Sequence, residues 1–570
     1  MKLNNLYNFK NPVKHFLDID SIKLPDDISS FDINKLCWVA PINFRVNKNE
    51  DNYRTLKMPN ILNFVAAFEH FKDLPDFNTI QNLDPTHKRL ATNVATGDFV
   101  IGEYDRQLEK DFENLCVYDN LLRVDIKEYY GRIYTHLIEF HGHEERYLSN
   151  QNLGKTNGLI MGNYLSLYFA ETTLMEISKL IEIEFTRSGI NCEFSYFSDD
   201  FYFFCNRSDI EKVVKIFDKI LEKYELERND SKKEIWTYED FNNYNLVARY
   251  WKKVIAHCNI KFKEGREDNK LYIINQIVYR LSNLEDGKLK KVFINNLFKT
   301  KYFRELDLEK FKVKNYDYHQ LCFILKYSPE ALLYVVDKLN AMSSFDNKKL
   351  LKFFKVRYTE VLQSQFNEEQ LYFYYAIKIF GFTEILNDTQ EVVLDSNNQL
   401  LISYYLKDGI FRSEQTEKLK EIDDEQHWFQ NYHLILYSTD LQADLEASIE
   451  KYLIPKKVKN AIKASDVIKK QAYMDFYKEN INLKNPIIRD ISDVNIEIKE
   501  YLALRIEESE AEFEDEEVED EEVEDEEVEE VEEVEEEVED EVEDEVEDEV
   551  EEDDEDEETD NEEDETGYAD

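Results

Sequence analysis

Glycine and proline are scarce in this chain, 13 and 9 among 570 residues. Few tight turns can be built from so little, so long helices are expected. Cysteine is sparse too. The six (Cys37, Cys116, Cys192, Cys205, Cys258 and Cys322) are scattered and form no Cys-x-x-Cys pair. That argues against a zinc knuckle or a disulfide scaffold and points to a reducing compartment. No run approaches the roughly 18 apolar residues of a membrane span. The opening MKLNNLYNFK also has no apolar leader core. A cytoplasmic protein without a membrane partner is expected.

Basic charge is missing from one stretch altogether. Residues 507–570 hold 46 Asp and Glu and no Lys or Arg, which leaves 77 acids against 70 bases over residues 1–506. The formal net charge of −53 therefore belongs mostly to a tail, and the body is an ordinary globular chain. The tail repeats V-E-D-E-E and V-E-D-E, and self-repulsion with no core material predicts disorder. Aromatics are plentiful. The 36 Tyr and 37 Phe are ample for large cores.

The pattern divides the chain into four. Residues 1–30 read as a polar N-terminal arm with short helical pieces. Residues 31–240 mix strand-like runs (INFRV, LLRVDI, CEFSYF, FYFFC) with helices, and make an α+β region. In the helix that follows FYFFC, Ile210, Val213, Val214, Phe217 and Leu221 fall on one face. Residues 241–505 carry amphipathic helices in series, KLYIINQIVYRLSNL and EEQLYFYYAIKIFGF among them, and predict an all-α, repeat-like domain without a fixed period. Residues 506–570 are the acidic low-complexity tail. Two runs of the helical region, Lys288 to Lys314 and Lys456 to Lys470, are basic. A solvated helix face and a phosphate-binding wall are both open readings of them.

The stretch FSYFSDDFYFF (194–204) sets two adjacent acids between two aromatic strands. Ser-Asp-Asp is ordinary hairpin-turn chemistry. An unpaired carboxylate nevertheless costs several kcal/mol to desolvate, so Asp199 and Asp200 need a partner there. Two divalent ions would serve, if acids from separate strands converge within ~4 Å of them. NLLRVDIKEYY supplies a second strand, in which Leu121, Leu122 and Val124 run into Asp125 and Tyr130 stands five residues on. Between the acids, KTNGLIMGNYLS offers Asn157, Gly158 and Gly162, a loop where backbone can approach a ligand closely. A helix with Ser166 and Glu171 comes next. Beyond the hairpin, NDSKKE adds Lys232 and Lys233 for phosphate charge.

This order resembles the palm of reverse transcriptases. DIKEYY (125–130), TNGLIMG (156–162), FSDD (197–200) and NDSKKE (229–234) stand as its motifs A to D, all within about 110 residues. More finely, DIKEYYGRIYTH and TNGLIMGNYLS resemble the phage-defence reverse transcriptases of the abortive-infection, AbiK type. YRTLKMPNILNFVAAF (53–68) is similar to the fingers of that group. The likeness covers residues 30–240 by motif, and the helical stretch beyond by character alone. It implies α+β right-hand fingers and palm with an antiparallel palm sheet, then an all-α repeat-like domain and a disordered tail.

On that resemblance Asp125 and Asp199, with Ile126 through its backbone, hold two Mg²⁺ ions, and Asp200 is a weaker or outer ligand. Tyr130 is the steric gate that favours deoxynucleotides, or else a plain core tyrosine. Asn157, Gly158 and Gly162 floor the incoming base. Lys232 reaches the leaving pyrophosphate, with Lys233 an equal candidate on chemistry alone. Arg54 contacts the triphosphate or is a surface arginine. The reaction implied is polymerisation of dNTPs in anti-phage abortive infection, without a template and primed on a tyrosine. A single-stranded DNA product would then stay attached to a homo-oligomeric protein. There are departures: Phe197 replaces the usual Tyr of Tyr-x-Asp-Asp, no thumb is recognisable, and no motif picks a priming tyrosine. A template-copying reverse transcriptase of a retroelement is the first rival. A non-catalytic nucleic-acid mimic acting through the acidic tail is the second.

Overall fold

A computed structural model of the chain describes residues 2–9, 11–48, 52–100, 102–245, 277–279, 281–282, 287–300, 303–304 and 315–516. Two units are distinguished, 1–508 and 509–570. The repeats of the acidic tail from 517 on, most of KLYIINQIVYRLSNL, and Lys301, Lys310, Lys312 and Lys314 lie outside the described residues. Among the described residues no helix is long and apolar enough to cross a membrane.

The first unit is mixed α+β. An antiparallel hairpin of β1 (Ile42–Asn47) and β2 (Tyr53–Met58) comes first. The main sheet contains β3 (Asn120–Asp125), β4 (Cys192–Phe197), β5 (Asp200–Cys205) and β6 (Glu234–Trp236), antiparallel in the order β4-β5-β3-β6. Alternation along the strands gives the sheet two different faces. Leu122, Val124, Phe194, Phe201 and Phe203 share one core with α2 (Tyr164–Ser188) and α3 (Ile210–Leu221). There the rings of Phe185 and Phe203 lie 5.9 Å apart, and those of Phe201 and Phe217 4.9 Å. Each fully buried Phe of this layer contributes roughly 1.5–3 kcal/mol. The face expected of α3 is the one it buries, with Ile210, Val213, Val214, Phe217 and Leu221 all inside.

The opposite face carries Leu121 and Phe204, packed against Leu108, Phe112 and Leu115 of α1 (Glu103–Val117). Toward the far end of β3 and β5 this second core gives way to polar side chains, with Tyr202 still packed against it. There the same alternation brings up Arg123, Asp125, Asp200 and Tyr202. Local chemistry fixes the helix that links the Gly loop to the hairpin. The Asn163 side chain accepts from Ser166 N (3.0 Å) to cap α2, and Gly189, at φ 62°, ends it.

Beyond β6 the described elements are helices: α4 (Gly287–Lys299), α5 (Asn367–Phe380), α6 (Gln399–Lys407), α7 (Trp428–Tyr437), α8 (Ala464–Leu483), α9 (Ile491–Glu516) and shorter pieces. Helix α6 packs on α7, and α5 on β1, where Arg45 N donates to Asn367 Oδ1 (2.9 Å) and Asn47 N to Glu368 Oε1 (2.8 Å). The N-terminus is no free polar arm. Leu6, Tyr7, Phe9, Val13, Phe16 and Leu17 are buried. The Phe16 carbonyl accepts from Arg489 N (3.0 Å) and Tyr404 Oη (3.1 Å), and Asp18 N donates to Ile487 O (2.7 Å). Apolar residues in and just after two short helices, Leu3–Tyr7 and Pro12–Phe16, seat this segment among the C-terminal helices. The basic runs are partly neutralised from within. Lys299 faces Glu330 (3.3 Å), Lys456 faces Asp424 (3.4 Å) and Lys470 faces Glu450 (2.6 Å).

Candidate active site

Phe197 pairs with Asp200, so Ser198 and Asp199 form a two-residue hairpin turn. Ser198 takes the left-handed conformation (φ 53°) that such a turn requires. The turn is tied to the neighbouring strand, because Asp199 O accepts from Ile126 N (2.9 Å). One step back, Asp125 stands directly across the ladder from Asp200. Asp125 is buried, 3% exposed, while Asp199 and Asp200 are half-buried.

Their partners differ. Asp125 accepts from Lys232 Nζ (2.5 Å) and Asn229 Nδ2 (3.0 Å), and its carbonyl accepts from Asn229 N (2.8 Å). Asp200 accepts from Arg123 (3.0 Å), whose other nitrogen lies 3.5 Å from Glu234. The Asp199 carboxyl is held above the ordinary range by burial first, and then by the charges of Asp125 and Asp200. The acids therefore meet, but not as an open three-carboxylate cage, since the Asp200 carboxylate is taken up by Arg123. Among the described residues no three His, Cys, Asp or Glu side chains are arranged to hold a metal. The pair of Asp125 and Asp199 does suit a hard divalent cation. It offers carboxylate oxygens from the end of β3 and from the β4–β5 turn, and the second of them is destabilised by burial and neighbouring negative charge. Lys232 is the exchangeable counter-ion, its side chain 49% exposed against 5% for Asp125.

The half-buried Tyr130 borders this cluster. Burial pushes its hydroxyl up strongly, Glu171 and Asp199 push the same way, and Arg54 opposes them. Arg54 itself is an exposed residue of β2. The Gly loop lies along the Tyr130 segment, with Leu159 N donating to Tyr130 O (2.7 Å) and Gly158 N to Ile133 O (3.0 Å). Gly158 has φ 91°, and a Cβ there would sit 2.9 Å from Gly131 O, so no side chain fits. Gly162, at φ 122°, abuts Leu56 of β2, where Lys57 N donates to Met161 O (3.0 Å). Asn157 is exposed and bridges Tyr134 through its backbone. Lys233 is turned away from the acids to Glu211 (3.2 Å). Of the two lysines, Lys232 is the one at Asp125.

The sequence pattern did not single out Arg123, Asn229 or a buried ion pair of Lys88 with Glu171 (2.9 Å, both side chains 7% exposed). Arg123 was findable, since two residues before Asp125 on a strand is the same face. Asn229 and Lys88 come from loops and give no periodic signal.

No family model matches the chain, and no curated protein sequence matches it. Among solved structures it is similar to telomerase from Candida albicans in complex with a TWJ fragment of telomeric RNA. Identity is 11% and the TM-score 0.29, over 68% of this chain and 64% of that one. The chain thus spans less than two thirds of that neighbour. So distant a likeness assigns no chemistry; only the residues of the acid cluster can.

Proposed function

We propose that the protein is a nucleotidyltransferase that polymerises deoxynucleotides at the Asp125–Asp199 cluster. The observation that carries the reading is the hairpin turn tied to the end of β3, where Asp199 O accepts from Ile126 N (2.9 Å). It sets two acids on neighbouring backbones, with a displaceable lysine against one of them. In this reading Asp125, Asp199 and the backbone of Ile126 hold two Mg²⁺ ions, with Asp200 outside them. When bound, the ions lower the pKa of the attacking hydroxyl and offset charge at the α-phosphate.

The protein's own residues do the rest. Arg123 neutralises Asp200 and keeps it from competing for cations. Asn229 fixes the Asp125 carboxylate from the side and through its carbonyl. Lys232 leaves Asp125 when a nucleotide arrives and donates to the departing pyrophosphate. Tyr130 places a ring where a 2′-hydroxyl would stand, and Arg54 orients the triphosphate from β2. The absence of Cβ at Gly158, with Asn157 and Gly162 beside it, lets the loop lie under the incoming base. Most of the rate enhancement then comes from positioning and preorganised charge.

On the motif resemblance, the reaction is template-independent and starts from a tyrosine of the protein, in a homo-oligomer that acts in antiviral defence. The test is incubation of purified protein with Mg²⁺ and labelled dNTPs, without template or primer. Label attached covalently to the protein, and lost in Asp125→Asn and Asp199→Asn, is the expected result. Incorporation that survives either substitution would overturn the assignment.

A further inference from the structure

Two cysteines face one another across the hairpin that carries Asp199. Cys192 opens β4, Cys205 closes β5, and the register pairs them directly. Side chains directly opposite one another leave a sheet on the same face. Here that face is the one turned to the main core. Cys205 is buried in it, and the half-buried Cys192 packs against it. Both are free thiols.

The kind of pair decides whether the sulfurs can join. Tyr196 N donates to His87 O (2.8 Å), and Tyr196 O accepts from Arg89 N (2.9 Å). The backbone of Tyr196 therefore points out of the hairpin, and its pair with Phe201 is a non-hydrogen-bonded one. The two kinds of pair alternate along the ladder. Four residues back, the pair of Cys192 with Cys205 is non-hydrogen-bonded as well. Such pairs bring their Cα atoms to about 4.5 Å. A disulfide spans roughly 4.4–6.8 Å between Cα atoms, so the strands need not move to accept one. The thiols already interact. A hydrogen bond between them raises Cys192 and lowers Cys205. Burial and the nearby acids Glu193, Asp209 and Asp119 oppose ionisation, which makes the pair slow to react rather than catalytic.

We infer that Cys192 and Cys205 are an oxidisable dithiol, which a peroxide closes to a cross-strand disulfide within the native fold. Cys192 is the sulfur that solvent reaches. Its thiolate attacks one peroxide oxygen, the O–O bond breaks, and hydroxide leaves to become water with the proton that Cys192 gave up. The Cys205 sulfur then attacks the Cys192 sulfenic acid. The S–S bond forms, the S–O bond breaks, and a second water leaves with the Cys205 proton. Two thiols and one peroxide thus give one disulfide and two waters. The bond would clamp the open end of the hairpin whose closed end holds Asp199, and a small thiol would release it. The site does not depend on the polymerase reading.

Peptide mass spectrometry of the full chain tests this. Trypsin leaves both cysteines on one peptide, residues 188–207. The folded protein is treated with hydrogen peroxide at a dose that oxidises the exposed Cys116, then unfolded and alkylated. Peptide 188–207 should come back about 2 Da lighter than the dithiol and without an alkyl group, and dithiothreitol before alkylation should restore two. Melting of the oxidised protein should rise by roughly 3–6 °C over the reduced one, because the bond closes a short loop without strain. Cys205→Ala, a small apolar replacement, should show no such rise under the same treatment. Two alkyl groups on the peptide after peroxide, or a link from Cys192 or Cys205 to another cysteine, would overturn the inference. So would a melting temperature that fails to rise, or one that rises equally in Cys205→Ala.

Discussion

Asp199→Asn should stabilise the metal-free protein and abolish its stabilisation by Mg²⁺. The turn holds Asp199 beside Asp125 and Asp200, and their charges raise its carboxyl after burial has done so. For scale, side chains opposite one another across an antiparallel ladder, as Asp125 and Asp200 are, start about 5 Å apart, and Asp199 joins them from the turn. Two like charges at that distance repel by roughly 3 kcal/mol at an effective dielectric near 20. Lys232 on Asp125 and Arg123 on Asp200 offset most of this. A net cost of about 1 kcal/mol remains to be removed, within the usual range for paired like charges on a sheet. A domain of 150–250 residues moves by about 2–4 °C per kcal/mol, and a unit twice that size by about 1–2 °C.

The sign follows from linkage. The folded protein binds the Asp199 proton more tightly than the unfolded chain does. Stability is therefore lost as pH rises from the unfolded carboxyl range through the raised folded value, and the full cost is present above it. At pH 7 the Asn variant escapes that cost, while in acid below both values the two proteins converge. Mg²⁺ at about ten times its dissociation constant would add about 1.4 kcal/mol to the wild type. The tail takes up cations equally in both proteins, so the difference between them reports the site. Differential scanning calorimetry at pH 7 should show the variant melting higher in EDTA and the wild type higher in saturating Mg²⁺. Equal Mg²⁺ increments in both, or a variant no more stable in EDTA, would refute the reasoning.

Lys232→Ala should slow dNTP incorporation by about 10- to 100-fold, while Lys233→Ala, whose ammonium is on Glu211, should stay within about twofold in the same gel assay. Tyr130→Ala should raise ribonucleotide use relative to deoxynucleotide use by about tenfold or more, measured as the ratio of kcat/KM. Gly158→Ala should destabilise by about 1–3 kcal/mol, because both its φ of 91° and the 2.9 Å approach to Gly131 O exclude a Cβ. Gly189→Ala, also at positive φ but with open space around it, should cost less in the same melting experiment.

The parts of this architecture that sequence made legible are those governed by local rules. The strand-like runs LLRVDI and FYFFC fall on β3 and β5, and a helical period of 3.6 placed Val213 and Phe217. The turn at Ser198-Asp199 follows from residue chemistry alone. What stayed hidden depends on contacts between distant segments. Nothing near Phe16 announces that its carbonyl will accept from Arg489 and Tyr404, so the first residues read as a polar arm with short helical pieces. Asn229 and Asp125 are 104 positions apart and meet only because the loop before β6 folds back over the end of β3. The Arg123–Asp200 pair was within reach of strand alternation, since Arg123 stands two residues before Asp125, and it alters the expected roles of the acids.

That pair bears on how tightly a metal could bind. A cluster of three bare carboxylates would bind divalent ions strongly and would be hard to fold without them. Here Arg123 and Lys232 offset the charge of the cluster, and each does so differently. Arg123, only 29% exposed in its side chain and shared with Glu234, is fixed. Lys232, nearly half exposed and on a short loop, can leave. Binding at Asp125 must displace the ammonium, so cation affinity is reduced by the strength of that contact. A nucleotide that draws Lys232 onto its phosphates removes the competitor at the same moment. Metal and nucleotide should therefore bind with positive coupling in the wild type, and Lys232→Ala should bind Mg²⁺ more tightly alone yet lose the coupling. Calorimetric Mg²⁺ titrations with and without a non-hydrolysable dNTP measure both quantities. Coupling that persists undiminished in Lys232→Ala would show that the lysine is not the link.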